Sequence, residues 1–203
     1  MDFAVQILKD TLTTLYQITG ISLVCCILFM FAYLYCKEHG AKEGIRRWVN
    51  MLKTSHEFRR ILLLAFYTAM ILNKTLFSRP IWKQPFKNVI GVWGFYEDGN
   101  LYTENVENIM LFIPFLALLM WALHDYFWKD RQMTGWLYFR KALLISFISS
   151  AAIEMSQLFL KVGAIQISDL VFNTLGGLIG AAVYWIWHKH TLKKTDSEKN
   201  ESE

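Results

Sequence analysis

The chain has 203 residues, of which 54% are hydrophobic and 16% aromatic, while 19% are charged and the formal net charge is +4. This composition is too apolar for an ordinary soluble domain of this length. We therefore expect an all-α fold, a polytopic membrane helical bundle with about five transmembrane helices.

Five apolar stretches are long enough to cross a bilayer, which takes roughly 20 residues of helix. They are residues 15–35, 61–77, 109–127, 142–160 and 170–187. An odd number of spans places the two termini on opposite sides of the membrane.

The basic residues predict the orientation, because Lys and Arg collect in cytoplasmic segments. The links after the first and third spans and the C-terminal segment hold 15 of the 21 basic residues. We expect a multi-pass membrane protein with the N-terminus outside and the C-terminus cytoplasmic.

The same pattern suggests three parts. Residues 1–60 would form an extra transmembrane helix followed by a basic cytoplasmic segment, residues 61–188 a four-helix membrane domain, and residues 189–203 a disordered cytoplasmic tail. In the basic segment Ile45, Trp48, Val49 and Leu52 recur at helical spacing. This spacing is typical of an amphipathic helix on the membrane surface, and an ordinary solvated loop is an equally good interpretation.

The fourth span carries a polar stripe. Ser146, Ser150 and Glu154 follow one another at intervals of four, and Gln157 comes three residues later, so all four share one helix face. An ionisable group at membrane depth is costly and is a functional candidate by default. We therefore expect this stripe to face the interior of the protein.

Other unusual polar residues are expected at the same depth, in the outer leaflet. They are Arg79 at the end of the second span, Asn105 and Asn108 at the start of the third, and Asp169 and Asn173 at the start of the fifth. Asn108, Asn173, Gln157 and the serines have a simpler explanation as well, since such groups hold membrane helices together. So does Asp169, since an aspartate at a helix N-terminus interacts favourably with the helix dipole.

Four residues are predicted to act structurally. Pro114 removes a backbone donor from the third span and favours a kink. Gly176, Gly177 and Gly180 allow close approach of helix backbones.

The chemistry of a hydrolase is not evident in the sequence. The five histidines fall in or near predicted cytoplasmic segments, away from the outer polar residues, and no serine nucleophile motif or phosphate-binding loop is present. We predict no metal site, no cofactor and no nucleic-acid partner. An intramembrane enzyme with Glu154 and Asp169 as acid and base, a transporter and a scaffold stay open as alternatives.

The motifs of the spans resemble those of the VanZ-like family of bacterial membrane proteins, over roughly residues 61–187. The matching positions are Thr75 and Arg79, Asn108 through Pro114 and Phe115, Glu154 and Gln157, and finally Asp169, Asn173, Thr174, Gly176 and Gly177. In this comparison the first span and the basic segment lie outside the family core.

The resemblance implies a multi-pass cell-envelope protein of the bacterial cytoplasmic membrane. The founding member of the family is associated with low-level resistance to teicoplanin, a lipoglycopeptide. Together with the expected depth, it leads to the hypothesis of an outer-leaflet pocket that binds an amphiphile. The ligand would be a membrane lipid, a lipid-linked wall precursor or the lipoglycopeptide itself. The predicted ligand-binding residues are Arg79, Asn108, Glu154, Gln157, Asp169 and Asn173.

Overall fold

The computed structural model of the chain describes residues 21, 24, 28, 30–77, 79, 86, 88–94, 96–97, 100–101, 103–127 and 134–200. These residues are mainly helical, which confirms the predicted all-α fold. Four described helices are long and apolar enough to cross a membrane, namely His56–Phe77, Glu104–Ala122, Gly135–Leu160 and Ile167–Thr191. The predicted first span, 15–35, lies mostly outside the described residues.

The described helices and strands follow one another in chain order. They are α1 (Ala41–Thr54), α2 (His56–Leu72) with a π-helical extension (Asn73–Phe77), β1 (Tyr96–Glu97), β2 (Asn100–Leu101), α3 (Glu104–Ala122), α4 (His124–Phe127), α5 (Gly135–Leu160) and α6 (Ile167–Asn200). The two strands pair antiparallel, with Tyr96 opposite Leu101 and Glu97 opposite Asn100. Residues 30–39 are helical too.

The helices extend beyond the apolar stretches that predicted them. Helix α3 starts at Glu104 and has two acidic residues in its first turn, where the positive end of the helix dipole favours them. Helix α6 continues to Asn200, whereas the sequence predicted disorder from residue 189. No glycine or proline follows Gly180, so nothing in the local sequence ends this helix earlier.

The chain forms two compact units. The first comprises Met1–Lys87 and Ser156–Ala164, and the second comprises Asn88–Met155 and Ile165–Glu203. These boundaries differ from the predicted division after residues 60 and 188. The division into three domains stays a prediction.

In the second unit, α3, α5 and α6 share an apolar core. Its buried residues are Leu116, Met120, Tyr138, Ala142, Ala181 and Tyr184. The Tyr138 hydroxyl donates to the Ala181 carbonyl at 2.9 Å, so the polar end of this buried ring is satisfied. Because this core packs three helices together, it also sets the positions of the polar side chains on those helices.

Two glycines of α6 bring its backbone against α3. A side chain at Gly176 would collide with the Ile109 carbonyl oxygen, and one at Gly180 would collide with the Ile113 carbonyl oxygen. Small residues four apart allow such contact between membrane helices. Pro114 lies inside α3 beside this contact, and the kink that it was expected to cause stays a prediction.

In the first unit, α1 and α2 meet at Ser55. The Ser55 hydroxyl accepts a hydrogen bond from the Phe58 amide at 3.1 Å and so caps α2, which satisfies one of the free amide groups of the first turn. Gly40, which precedes α1, has φ of 84°, a conformation that glycine adopts without steric cost. Helix α1 is therefore bounded by a glycine turn at its start and a serine cap at its end.

Candidate functional site

The polar stripe of α5 is buried, as predicted. In the second unit, Ser146 and Ser150 are 0% exposed and Glu154 is 6% exposed. Gln157, one turn further along the helix, belongs to the first unit and is 1% exposed. The helical spacing therefore identified the inward face correctly.

Asn108 and Asp169 connect α3 to α6 in the second unit. The Asn108 amide nitrogen Nδ2 donates to Asp169 Oδ1 at 2.8 Å. Asp169 lies in the first turn of α6 and is 2% exposed. The carboxylate therefore combines both simpler explanations given above, since it is placed at a helix N-terminus and holds a neighbouring helix.

A second connection joins α5 to α6. Asn173 Nδ2 donates to the Ser150 hydroxyl at 3.0 Å, and the Ser146 hydroxyl lies 3.4 Å from the carbonyl oxygens of Asn173 and Thr174. A side chain at Gly177 would collide with Ser146. These bonds are of the kind that hold membrane helices together.

Glu154 accepts a backbone hydrogen bond from the segment before α6. Its Oε2 atom lies 3.1 Å from the Gln166 amide nitrogen. The next two amides, of Ile167 and Ser168, donate to the carbonyl oxygens of Val89 and Ile90 at 2.8 and 3.3 Å. The first amides of α6, which no intrahelical carbonyl can satisfy, are thus bound by surrounding groups.

The first unit contains a different polar group, which we call the Arg79 cluster: Thr75, Arg79, Gln157 and Gly163. Gln157 Nε2 donates to the Thr75 carbonyl oxygen at 3.0 Å. Gly163 has φ of 74°, and a Cβ atom there would lie 3.1 Å from Arg79 Cδ and Nη1 and 3.7 Å from Gln157 Oε1. The guanidinium and the carboxamide oxygen therefore border the same glycine.

Gln157 Oε1 is buried and has no hydrogen-bond partner among the described residues. Buried acceptors in native proteins normally have a partner, so each exception needs an explanation. Arg79 is only partly buried. The Arg79 cluster therefore combines an accessible cation with an acceptor that a ligand or a water molecule would satisfy.

The six predicted ligand-binding residues fall into two sets. Asn108, Glu154, Asp169 and Asn173 belong to the second unit, and Arg79 and Gln157 belong to the first. Within the second unit Asn108 bonds directly to Asp169, and Asn173 bonds to Ser150.

Two residues make contacts that the sequence did not predict. Asn105 is 2% exposed, and its Nδ2 donates to the carbonyl oxygens of Val92 and Gly94 at 2.9 and 3.0 Å, so it holds the preceding segment against α3. Gly163 borders Arg79 and Gln157. The sequence placed Asn105 at the start of a span without a partner and did not single out Gly163, because both contacts depend on tertiary packing.

The chain is similar to known proteins over most of its length. The sequence profile of the VanZ/LLP1 family matches residues 18–188. Protein VanZ of Enterococcus faecium is 27% identical over 127 residues, covering 56% of this chain and 71% of that protein. No solved structure matches the chain.

The family match begins at residue 18 and so includes most of the predicted first span and the whole basic segment. The expectation that these parts lie outside the family was wrong, because it rested on the polar motifs, which occur only in the later spans. The match covers well over half of the sequence, and this helical membrane protein therefore belongs to the VanZ/LLP1 family.

Proposed function

We propose that this protein is a component of the bacterial cell envelope, with its N-terminus outside and its C-terminus cytoplasmic, that binds the headgroup of an amphiphile at the Arg79 cluster. Through this binding it contributes to glycopeptide resistance or envelope homeostasis, as the family resemblance implies. The asymmetry of the basic residues supports the orientation. In that orientation Arg79 lies at the outer end of the second span.

The observation that carries the proposal is the environment of Gln157. Its side chain is 1% exposed, one end is fixed by the Thr75 carbonyl, and the other end, Oε1, is without a partner among the described residues. Because Nε2 donates to the Thr75 carbonyl oxygen, the amide group is held in an orientation in which Oε1 can accept a hydrogen bond. A buried acceptor held in this way is suited to a hydrogen-bond donor on a ligand.

Arg79 supplies the complementary charge. A guanidinium forms paired hydrogen bonds with phosphate or carboxylate oxygens, and Gly163 leaves space beside it because any side chain there would touch Arg79. The ligand would therefore carry an anionic group for Arg79 and a hydroxyl or amide donor for Gln157. Phosphatidylglycerol, lipid-linked wall precursors and lipoglycopeptides all contain both kinds of group together with an acyl or isoprenoid chain.

In this proposal the four predicted ligand residues of the second unit have a supporting role. Asn108, Asp169 and Asn173 bond to other side chains, and Glu154 accepts from the Gln166 amide. Asn173 Oδ1, like Gln157 Oε1, has no partner among the described residues, but no cation is described beside it. Direct ligand binding by these residues stays a prediction. For Glu154, this prediction is tested by the teicoplanin susceptibility of a host that expresses Glu154→Gln.

The test is susceptibility to teicoplanin and vancomycin in a sensitive host that expresses the wild type or a variant at matched membrane levels. We expect Arg79→Gln to lose the protection that the wild type gives against teicoplanin. Arg79→Lys should retain part of this protection, because lysine keeps the positive charge but lacks the planar guanidinium with its paired donors. Arg140→Gln, which removes an exposed charge of α5, serves as the matched control and should protect fully.

Two results would contradict the proposal. Full protection by Arg79→Gln would remove the cluster from the explanation, and absence of protection by the wild type would remove glycopeptide resistance. Native mass spectrometry of the purified protein with teicoplanin, with a lipid-linked wall precursor and with phosphatidylglycerol then identifies which class binds. Binding should weaken in Arg79→Gln and persist in Arg140→Gln.

An intramembrane enzyme is the second candidate, since Glu154 and Asp169 are both buried carboxyl groups of the second unit, 6% and 2% exposed. Two carboxyls in different environments can act as general acid and base. Turnover of a lipid-linked substrate by the purified protein, abolished in Glu154→Gln and in Asp169→Asn, would favour this candidate. Binding without turnover would favour the first.

A further inference from the structure

Helix α1 exposes an apolar face. Ile45 is 66% exposed, Trp48 49%, Met51 38% and Val49 36%, and none of the residues of this helix is buried. Four large apolar side chains along one face of a short helix form a contiguous patch, which in a protein usually marks a surface of interaction.

Basic residues border this face. At 3.6 residues per turn, Lys42 and Lys53 follow Val49 along one edge, and Arg47 follows Met51 along the other. Residues 37–60 contain seven basic and three acidic side chains. The arrangement of an apolar face between basic edges is typical of helices that lie in the plane of a membrane.

The position of α1 brings this face to the bilayer. Helix α1 ends at Thr54, and the membrane-spanning helix begins at His56, so only Ser55 separates them. The Trp48 and Phe58 rings also meet edge to face, with centroids 6.0 Å apart. A helix tied this closely to the end of a span cannot move its apolar face far from the lipid surface.

We propose that α1 is an interfacial helix that inserts its apolar face into the bilayer and binds the headgroups of anionic phospholipids with its basic edges. This inference is separate from the proposed amphiphile site and does not depend on it. The occupant is the lipid surface, because the charge of the helix complements anionic headgroups and because the adjacent span fixes its distance from them. The basic edges add an electrostatic attraction that zwitterionic lipid does not provide.

The test uses the full-length protein in nanodiscs. In a background with Cys25→Ala, Cys26→Ala and Cys36→Ala, spin labels are attached to Val49→Cys or Asn50→Cys, which are adjacent in sequence and lie on the apolar and polar faces. Accessibility to molecular oxygen, which concentrates in lipid, is compared with accessibility to a water-soluble nickel chelate. The discs contain phosphatidylcholine alone or phosphatidylcholine and phosphatidylglycerol in equal parts.

With phosphatidylglycerol, we expect the label at position 49 to be accessible to oxygen and protected from nickel, and the label at position 50 to show the reverse. The contrast should be smaller in phosphatidylcholine alone. The difference in accessibility between positions 49 and 50 is then measured in discs of rising phosphatidylglycerol content. The double variant Lys42→Gln with Lys53→Gln should raise the phosphatidylglycerol fraction that gives half of the full difference by about threefold or more. Arg140→Gln with Lys141→Gln removes two basic charges of α5 and should leave that fraction unchanged.

Three outcomes would overturn the inference. Protection of position 49 from both reagents would show that protein covers the face, and equal nickel access at both positions would show a solvated helix. An equal contrast in both lipid compositions would show that anionic headgroups are not recognised. Thermal unfolding in detergent confirms that each variant is folded, so a lost contrast cannot be attributed to misfolding.

Discussion

Both units hold a buried amide oxygen without a partner among the described residues, Asn173 Oδ1 in the second and Gln157 Oε1 in the first, but different groups surround them. In the second unit, Asn108 donates to Asp169 and Asn173 donates to Ser150, so side chains of different helices bond to each other. In the Arg79 cluster, a partly buried cation borders a buried oxygen that lacks a partner among the described residues. The comparison teaches that a missing partner does not by itself distinguish the Arg79 cluster, because Asn173 shares that feature. The cluster is distinguished by its cation, which borders the same glycine as Gln157.

The largest effect is expected where α6 touches α3 through glycine. Gly180→Leu should prevent stable folding, with a loss of more than about 3 kcal/mol, because the new side chain meets the Ile113 backbone, which cannot move aside as a flexible side chain would. Thermal unfolding in detergent, read by intrinsic fluorescence, measures it. Cohesion of the second unit would then depend on backbone contact as much as on hydrogen bonds.

Gly135→Ala is the control for this prediction. A Cβ atom at Gly135 would meet only the Trp185 ring, at 3.6 Å, an ordinary contact distance. Its stability should therefore stay close to that of the wild type. A Gly180→Leu protein as stable as Gly135→Ala would mean that the helices are not in backbone contact.

The next effect concerns the Asn108 and Asp169 pair. Asp169→Ala should destabilise the protein by about 1 to 3 kcal/mol, because it removes a charged acceptor and leaves the Asn108 donor unsatisfied. Asp169→Asn keeps an acceptor oxygen and should lose less. Unfolding in mixed micelles with increasing sodium dodecyl sulfate measures both changes.

This prediction also tests the contrast between the units. If Asp169→Asn keeps stability but loses teicoplanin protection, the carboxylate acts on a ligand and its role in cohesion is secondary. If stability and protection fall together in Asp169→Ala and both recover in Asp169→Asn, cohesion is sufficient to explain Asp169.

Much of this arrangement was predictable from the sequence, for physical reasons. Apolar stretches predicted the spans, and the spacing of Ser146, Ser150 and Glu154 predicted a buried face, because hydropathy and helical periodicity are local properties. The pairing of Gln157 with Thr75 was not predictable, since these residues are 82 positions apart. Separation of the six predicted ligand residues into two units likewise depends on tertiary packing, which periodicity does not encode.

A smaller effect is expected at Gly163, and it bears on the Arg79 cluster. Gly163→Ala should cost about 1 kcal/mol, since alanine is strained at positive φ. It should also reduce teicoplanin protection as Arg79→Gln does, because the new Cβ atom would lie 3.1 Å from Arg79 Cδ and Nη1. Unfolding and susceptibility are measured on the same variant.

Gly40→Ala is the matched control for Gly163→Ala. Gly40 has φ of 84°, and nothing lies within 4 Å of the position of its Cβ atom, so the substitution introduces similar backbone strain without touching Arg79. Equal stability losses with loss of protection only in Gly163→Ala would show that the position of Arg79 matters. Unchanged protection in both variants would argue against a ligand at the cluster.

The smallest effect is the coupling between Ser150 and Asn173, and it measures cohesion directly. A double-mutant cycle with Ser150→Ala and Asn173→Ala should give a coupling of about 0.6 kcal/mol, the usual value for hydrogen bonds between membrane helices, because their 3.0 Å bond joins α5 to α6. A parallel cycle of Asn173→Ala with Thr191→Ala should give none, since these residues are roughly 27 Å apart along the same helix. Coupling of Ser150 and Asn173 that is no larger than this control would show that the hydrogen bond does not stabilise the second unit. Asn173 would then have no measurable part in the cohesion of the helices, and the distinction between the two polar groups would be lost.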